Sequence, residues 1–592
     1  MSRSSGRPRP NRGRGAAGRP ASRPAARRRE PLPPPITSRE SRRRIRILGV
    51  CMLVGVGGIA ARAGYLGFVQ RGDLSALAAD QRVHTVDLPG ARGLVYDRQG
   101  RELAGNRPMA RVEVSPNLIA DPRATAARLA PAVGMPAAQV TAKISGTGTW
   151  AMLAPQISHS AGARIRAMKL TGVYVTDTTT RVQTLGPATA QLMGLVDADG
   201  RAHGGIEGQY DKDLHGVAGA RVEARDPRQD TLKVLTQTDP TPGRDVVSTL
   251  DMPIQNRAYE VAAETARTYD AKSATIVVTT VDGRVLAMAT APSFDPNKRS
   301  TYTPELALNR ATAASFEPGS TFKVVTIAGA IQTKEVTPRT SFYLPVSLDI
   351  DKELDRTLSD AHERGPETAT VADILKRSSN VGTVLIARDR LGPERVNNWI
   401  YRFGFGRPTG IGLSEESGSI LPTSKWSGGS IYNIPIGQGD AVTQMQLTQA
   451  YGAIANGGVL TTPRIVQSIG GEAVPPGPTR RVMTRSTATA LTDMLRGVVS
   501  ADGTGSEANI PGYEVAGKTG TAQKIDPKTG LYSDTAFSAS FVGFVPANRP
   551  QIVVSVVVDE PGGAAHQGGV VAAPAFEKIA KFCLWRLGIP KD

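Results

Sequence analysis

The strand-forming segments of this chain fall into two sets more than two hundred residues apart, and that separation constrains the fold more than any other feature. Ser273 to Thr280 and Arg284 to Thr290 flank Val281-Asp282-Gly283, which reads as a hairpin with an Asp-Gly turn. Tyr513 to Lys524, Ala536 to Pro546 and Gln551 to Glu560 are three more strand candidates. The last holds Ile552-Val553-Val554-Ser555-Val556-Val557-Val558, β-branched enough to prefer a strand over a helix. Helical stretches fill the interval, and Ala572 to Leu587 reads as a closing helix. The expected fold is therefore α+β: an antiparallel sheet of five strands, gathered from both ends of a domain that opens near Gly243 and wrapped by helices.

The rest of the 592 residues precede that domain. Residues 1–46 carry fifteen Arg against Glu30 and Glu40, or +13 of the net charge of +18, so the basicity is that of a tail. Rich in Arg, Pro, Gly, Ala and Ser without apolar periodicity, this leader (1–44) is expected to be disordered. It has no aromatic interleaving and no recognisable module for nucleic acid, so no nucleic-acid partner is expected. Ile47 to Val69, inside the segment 45–70, has the length of one bilayer crossing, interrupted by Arg62. The basic flank places the tail in the cytoplasm and everything beyond about residue 70 outside. A cleaved signal peptide is the alternative, with Ala61-Arg62-Ala63 as a small-x-small site. The basic leader is long for such a signal, so an uncleaved single-pass anchor in the cell membrane is expected. Residues 71–242 are turn-rich, with a hairpin signal around Asp97-Arg98-Gln99-Gly100, and read as a β-rich spacer. Cys51 and Cys583 suggest no disulfide framework, and the six scattered histidines have no metal-ligand spacing, so neither a metal nor a cofactor is expected.

Three short motifs lie in the last segment, 243–592. Ser320-Thr321-Phe322-Lys323 follows Pro318-Gly319 and opens an apolar run, Val324 to Ile331, that reads as a buried helix. Positions i and i+3 share a helix face, so Lys323 can accept the Ser320 proton if burial lowers its pKa, making Ser320 a nucleophile. Ser378-Ser379-Asn380 reads as a helix-helix junction able to aim a hydroxyl and a carboxamide into a cleft, although a plain helix N-cap would look the same. Ala516-Gly517-Lys518-Thr519-Gly520-Thr521 lies on a strand edge expected to be exposed. There Lys518 and Thr519 can meet a carboxylate, and Gly520 can let a substrate backbone approach. Lys528-Thr529-Gly530 sits in a turn setting and is discounted.

In this order, Ser-x-x-Lys, Ser-x-Asn and Lys-Thr-Gly resemble the motif set of the penicillin-binding proteins and serine β-lactamases. Arg92-Gly93, Tyr96-Asp97-Arg98, Leu250-Asp251, Ile254-Gln255, Gly437-Gln438-Gly439, Thr443, Gln446 and Asn456-Gly457-Gly458 also resemble phrases of the class B penicillin-binding proteins, over residues 45 to 585. These are monofunctional peptidoglycan D,D-transpeptidases. The resemblance implies a transpeptidase domain on a pedestal of the dimerisation type. It implies that Ser320 attacks the penultimate D-Ala of a stem peptide, with Lys323 as base, Ser378 as proton relay and Asn380 as amide clamp. Lys518 and Thr519 would hold the donor carboxylate, the N–H groups of Ser320 and Thr521 would form the oxyanion hole, and β-lactams would acylate Ser320. It also implies, for a septal type, a SEDS-family glycosyltransferase and small bitopic division proteins as partners.

A β-lactamase or D,D-carboxypeptidase would share the motifs without needing so long a pedestal on an anchor. A bifunctional class A enzyme would need a glycosyltransferase domain for which residues 72–242 are too short. The remaining alternatives are an elongation-type transpeptidase and a non-catalytic β-lactam sensor or division scaffold.

Overall fold

The computed structural model describes residues 38–72, 83–197, 199–225, 231–351, 356–416, 418–563 and 565–592. The tail expected to be disordered lies, up to residue 37, outside the described residues. The described residues fall into two compact units, one drawn from within 1–85 and 222–235 and one from within 86–221 and 236–592. In the first, the helix Ser38–Gly64 runs on into a π-helical turn, Tyr65–Val69. Ser41–Val69 is the single span among the described residues that is long and apolar enough to cross a membrane. Arg62 lies over the Tyr65 ring, 5.6 Å from its centroid, which covers one face of the charge interrupting the span.

In the second unit the five expected strands form one sheet. They are β1 (Ser273–Thr280), β2 (Val285–Ala291), β3 (Ala516–Ile525), β4 (Tyr532–Val545) and β5 (Ile552–Asp559), in the order β2-β1-β5-β4-β3. Every neighbouring pair is antiparallel. The turn between β1 and β2 uses Gly283 at φ +86°, where a side chain would be strained. Among the helices that share cores with this sheet are α1 (Met252–Thr268), α2 (Lys323–Gln332), α3 (Val371–Lys376), α4 (Asn380–Ile386), α5 (Pro393–Arg402) and α6 (Ala573–Arg586). One face of the sheet packs Ile276, Val554 and Phe541 against Ile254 and Val261 of α1 and Phe576 and Ile579 of α6. On the other, Val542, Phe544 and Val553 join a larger core with α2, α3, α4 and α5. Strands buried on both faces lose the alternating pattern, which is why β5 reads as a continuous apolar run.

The pedestal is a seven-stranded sheet built around the long strand Glu102–Val114, which pairs with Val95–Tyr96, Ala151–Ser158 and Val173–Gln183. It is less purely β than its sequence suggested. The helices Pro122–Val133, Ala137–Ile144 and His159–Ala167 contribute Leu129, Val140 and Ile165 to its core. The first is capped by the Asp121 side chain at one end and by Gly134, at φ +68°, at the other. This sheet also crosses the expected boundary at residue 242: Val246–Ser248 pairs on one side with Val95–Tyr96 and on the other with Val466–Ile469. Asp251, fully buried, caps α1, and its carboxylate takes the guanidinium groups of Arg98 at 2.8 Å and Arg586 at 3.1 Å. The Tyr96-Asp97-Arg98 and Leu250-Asp251 phrases are thus two halves of one joint.

Candidate active site

Ser320 sits in a 3-10 turn, Gly319–Phe322, that leads directly into α2, so the motif straddles the helix start. The turn is clamped from two sides. A Cβ on Gly319 (φ +55°) would stand 2.6 Å from the carbonyl oxygen of Thr521 on β3, and one on Gly437 would stand 2.2 Å from the Gly319 oxygen. The Gly319 N–H donates to Gly437 O at 3.0 Å, and the Thr321 carbonyl accepts from the buried Tyr451 hydroxyl at 2.8 Å. The close fit also explains Gly520: its missing Cβ would collide with Ser540 Oγ at 2.4 Å and Pro318 O at 2.8 Å. The protein's own serine turn, and not a substrate backbone, occupies the space this glycine leaves.

Lys323 is fully buried, and its ammonium donates to Asn380 Oδ1 at 2.7 Å, to Ser378 Oγ at 3.3 Å and to the Ser378 carbonyl. Burial lowers its pKa to about 7, with the charge of Asp360 opposing the drop. Among the described residues the Ser320 hydroxyl has no hydrogen-bond partner, and it lines the cleft.

The Ser378-Ser379-Asn380 junction resolves the ambiguity of its motif. Ser379 is the N-cap of α4, accepting from Gly382 N at 2.9 Å, which leaves Ser378 and Asn380 free of that task. Ser378 ends α3 as a left-handed cap at φ +61°. Its N–H bonds Leu375 O, and that of Ser379 bonds Ile374 O, the pattern in which glycine is usual. A serine there holds strain of about 1–3 kcal/mol at the site where its hydroxyl meets Lys323.

Asp360, absent from the sequence reading, fixes this junction. Its carboxylate accepts from Ser379 Oγ at 2.9 Å, from Val381 N at 3.0 Å and from Arg364 Nε at 2.6 Å. Although burial works the other way, these hydrogen bonds and the Arg364 charge hold its pKa below the usual carboxylate value. Only the Asp360–Arg364 spacing of four residues could have signalled it.

The third motif is where the sequence predicts it, on the edge strand β3, yet it is not exposed. Lys518 is fully buried and Thr519 nearly so, because the serine turn covers one side and Gly568 packs against the Gly520 and Ser540 carbonyls on the other. Lys518 Nζ donates to the carbonyl and hydroxyl of Thr519. Burial, and then the charge of Lys323, hold its pKa well below that of an ordinary lysine. What reaches the open cleft is Thr519, paired with Thr504 Oγ1 at 2.9 Å, and Thr521, whose hydroxyl accepts from Gly568 N at 3.1 Å. Ser320, Ser378, Asn380, Thr519 and Thr521 all line one cavity of about 880 Å³, whose lining also includes Phe537 stacked on His566 at 4.1 Å. The discounted Lys528-Thr529-Gly530 lies in a turn closed by Gly530 N to Asp526 O. Among the described residues no cluster of His, Cys, Asp and Glu has the makings of a metal site.

The architecture is that of a serine-dependent transpeptidase domain standing on a second, largely β domain. The chain belongs to the class B penicillin-binding proteins: residues 274–581 match the penicillin binding protein transpeptidase domain, and residues 87–248 the penicillin-binding protein dimerisation domain. It is 31% identical over 562 residues to the probable peptidoglycan D,D-transpeptidase PbpC of Pseudomonas aeruginosa, covering 93% of this chain and 97% of that one. To the peptidoglycan D,D-transpeptidase FtsI of Escherichia coli it is 29% identical over 564 residues, covering 93% and 92%. The crystal structure of penicillin-binding protein 3 from Mycobacterium tuberculosis complexed with aztreonam superposes with a TM-score of 0.67 at 29% identity, covering 86% of this chain and 98% of that one. The protein is an enzyme of the transpeptidase type, and its N-terminal helix is long and apolar enough to cross a membrane.

Proposed function

We propose that the protein crosslinks peptidoglycan stem peptides through an acyl-enzyme on Ser320. The observation that carries this reading is the convergence of Ser320, Ser378, Asn380, Thr519 and Thr521 on one cavity, with Lys323 buried beneath it and bonded to Ser378 and Asn380. Lys323, neutral for half the molecules near pH 7, takes the Ser320 proton as Oγ attacks the carbonyl of the penultimate D-Ala. The N–H groups of Ser320 and Thr521 receive the oxyanion, each worth about 3–4 kcal/mol in sites of this kind. Ser378 passes a proton to the departing D-Ala amine, Asn380 holds the donor amide, and an amine from a second stem resolves the ester.

The donor carboxylate binds at Thr519, with Lys518 acting from behind it. Two buried amines this close resist being charged together. A carboxylate that draws the proton onto Lys518 therefore favours neutral Lys323, which couples substrate binding to activation of the base. Gly520 serves the site by letting the serine turn seat on β3.

β-Lactams acylate Ser320 as mimics of the donor. Residues 1–44, 45–70, 71–242 and 243–592 act as cytoplasmic tail, anchor, pedestal and extracytoplasmic catalytic domain. A septal role, with a SEDS-family glycosyltransferase and bitopic division proteins as partners, fits the likeness to FtsI. The test is labelling of the full chain with a fluorescent penicillin, wild type against Ser320→Ala, with the labelled peptide mapped by mass spectrometry. Label on Ser320 that vanishes in the variant supports the reading. A folded chain that takes no label overturns it in favour of a scaffold.

A further inference from the structure

A second cavity, of about 560 Å³, is lined by Arg395, Arg402, Arg407 and Arg480 with Trp399 and Tyr401. No acidic side chain lines it. Arg395 is neutralised by Glu335 at 2.7 Å, but among the described residues Arg402, Arg407 and Arg480 have no acidic partner. Each is fixed instead by a backbone carbonyl: Arg402 Nε to Val482 O at 2.6 Å, Arg480 Nη2 to Arg402 O at 2.8 Å, and Arg407 Nη2 to Tyr401 O at 3.3 Å. The Arg402 guanidinium also lies over the Trp399 ring, 5.2 Å from its centroid. Burial, and then the charges of Arg407 and Arg402, lower the Arg480 pKa, so the three cations work against one another. All three arginines are exposed, and free to choose they would spread further into solvent. Here carbonyl and aromatic contacts hold them together, with most of their N–H donors unused.

We propose that the cleft formed by Arg402, Arg407 and Arg480 is a binding site for a diphosphate. Three planar guanidinium forks match closely spaced phosphate oxygens, two or more negative charges cancel the repulsion among them, and the cavity is roomier than a single phosphate needs. A lone carboxylate would leave most of that charge uncompensated. The site adjoins the far end of the helix that carries Lys323: Thr333, just past α2, lines the cavity, and Trp399 packs on Gly329 of α2 so closely that a Cβ there would stand 2.6 Å from the indole. It shares no lining residue with the Ser320 cavity.

The experiment is calorimetric titration of the full chain in detergent with inorganic pyrophosphate at low and high salt. Arg407→Gln/Arg480→Gln is the test variant, Arg395→Gln the control, and penicillin labelling of Ser320 monitors the fold of each. Saturable one-to-one binding that weakens about tenfold or more in the double variant and with added salt, and little in the control, is expected. Absence of saturable binding overturns the proposal, as does equal binding by a correctly labelled double variant. Tighter binding of tetra-aspartate or of the singly charged glycerophosphoglycerol than of pyrophosphate overturns it too, by pointing to an acidic peptide or a phosphodiester.

Discussion

Lys323 Nζ and Asn380 Oδ1 are 2.7 Å apart, so the base of the first motif is tied directly to the carboxamide of the second. The tie works through a lysine lowered to about 7, which sets the pH behaviour of acylation. The rate of penicillin acylation is expected to rise with pH through about 7 and level off as Lys323 loses its proton. The same shift acts on stability. Because the unfolded lysine keeps its usual pKa of 10.5, the unfolded chain binds more protons between about 7 and 10.5, so this lysine's contribution makes the fold more stable as pH rises through that window. Lys323→Ala should cost about 10²–10⁴-fold in acylation rate. A pH-independent rate in the wild type would remove Lys323 from the role of base.

Asp360→Asn separates position from charge. Its carboxylate braces Ser379 and Val381 and opposes the lowering of the Lys323 pKa, so its loss should slow acylation about tenfold and move the pH midpoint below that of the wild type. A slower rate with an unmoved midpoint would leave Asp360 only a brace.

Ser378→Gly should trade activity for stability. Glycine relieves the left-handed backbone at φ +61°, and a gain of up to about 1 kcal/mol is expected from thermal or denaturant melts. Loss of the hydroxyl should meanwhile slow acylation by about 10²-fold. A variant less stable than wild type would show that the hydroxyl's bond to Lys323 outweighs the strain.

Gly520→Ala should dislodge the serine turn, since the new methyl meets Ser540 Oγ and Pro318 O at under 3 Å. A loss of about 1–3 kcal/mol in denaturation, with acylation falling further than stability alone explains, is expected. A normally reactive, normally stable variant would mean that the turn sits less tightly against β3.

The strands were legible in the sequence because residues buried on both faces must be apolar and β-branched, as in Ile552 to Val558. Ser320, Lys323, Ser378 and Asn380 were legible as motifs, but their wiring was not. The covering of β3 around Lys518 depends on Gly568, fifty residues further on, and on the serine turn two hundred residues earlier, neither of which marks the strand itself. The left-handed cap at Ser378 was hidden for another reason: glycine advertises that conformation and serine does not. The pedestal helix Pro122–Val133 carries readable end signals in Asp121 and Gly134 but no strong apolar stripe between them.

Strand β1 meets strand β5 at the centre of the sheet, with Val277 opposite Ser555. A chain emerging from the ribosome therefore carries Ser320 and Lys323 long before it can place them. The nucleophile turn lacks one side of its clamp until β3 is made, and the sheet has no middle until β5 is added. A product that stops short of β5 would hold both reactive side chains and no reactive site, so the synthesis of this protein delivers its chemistry only once the fifth strand is made.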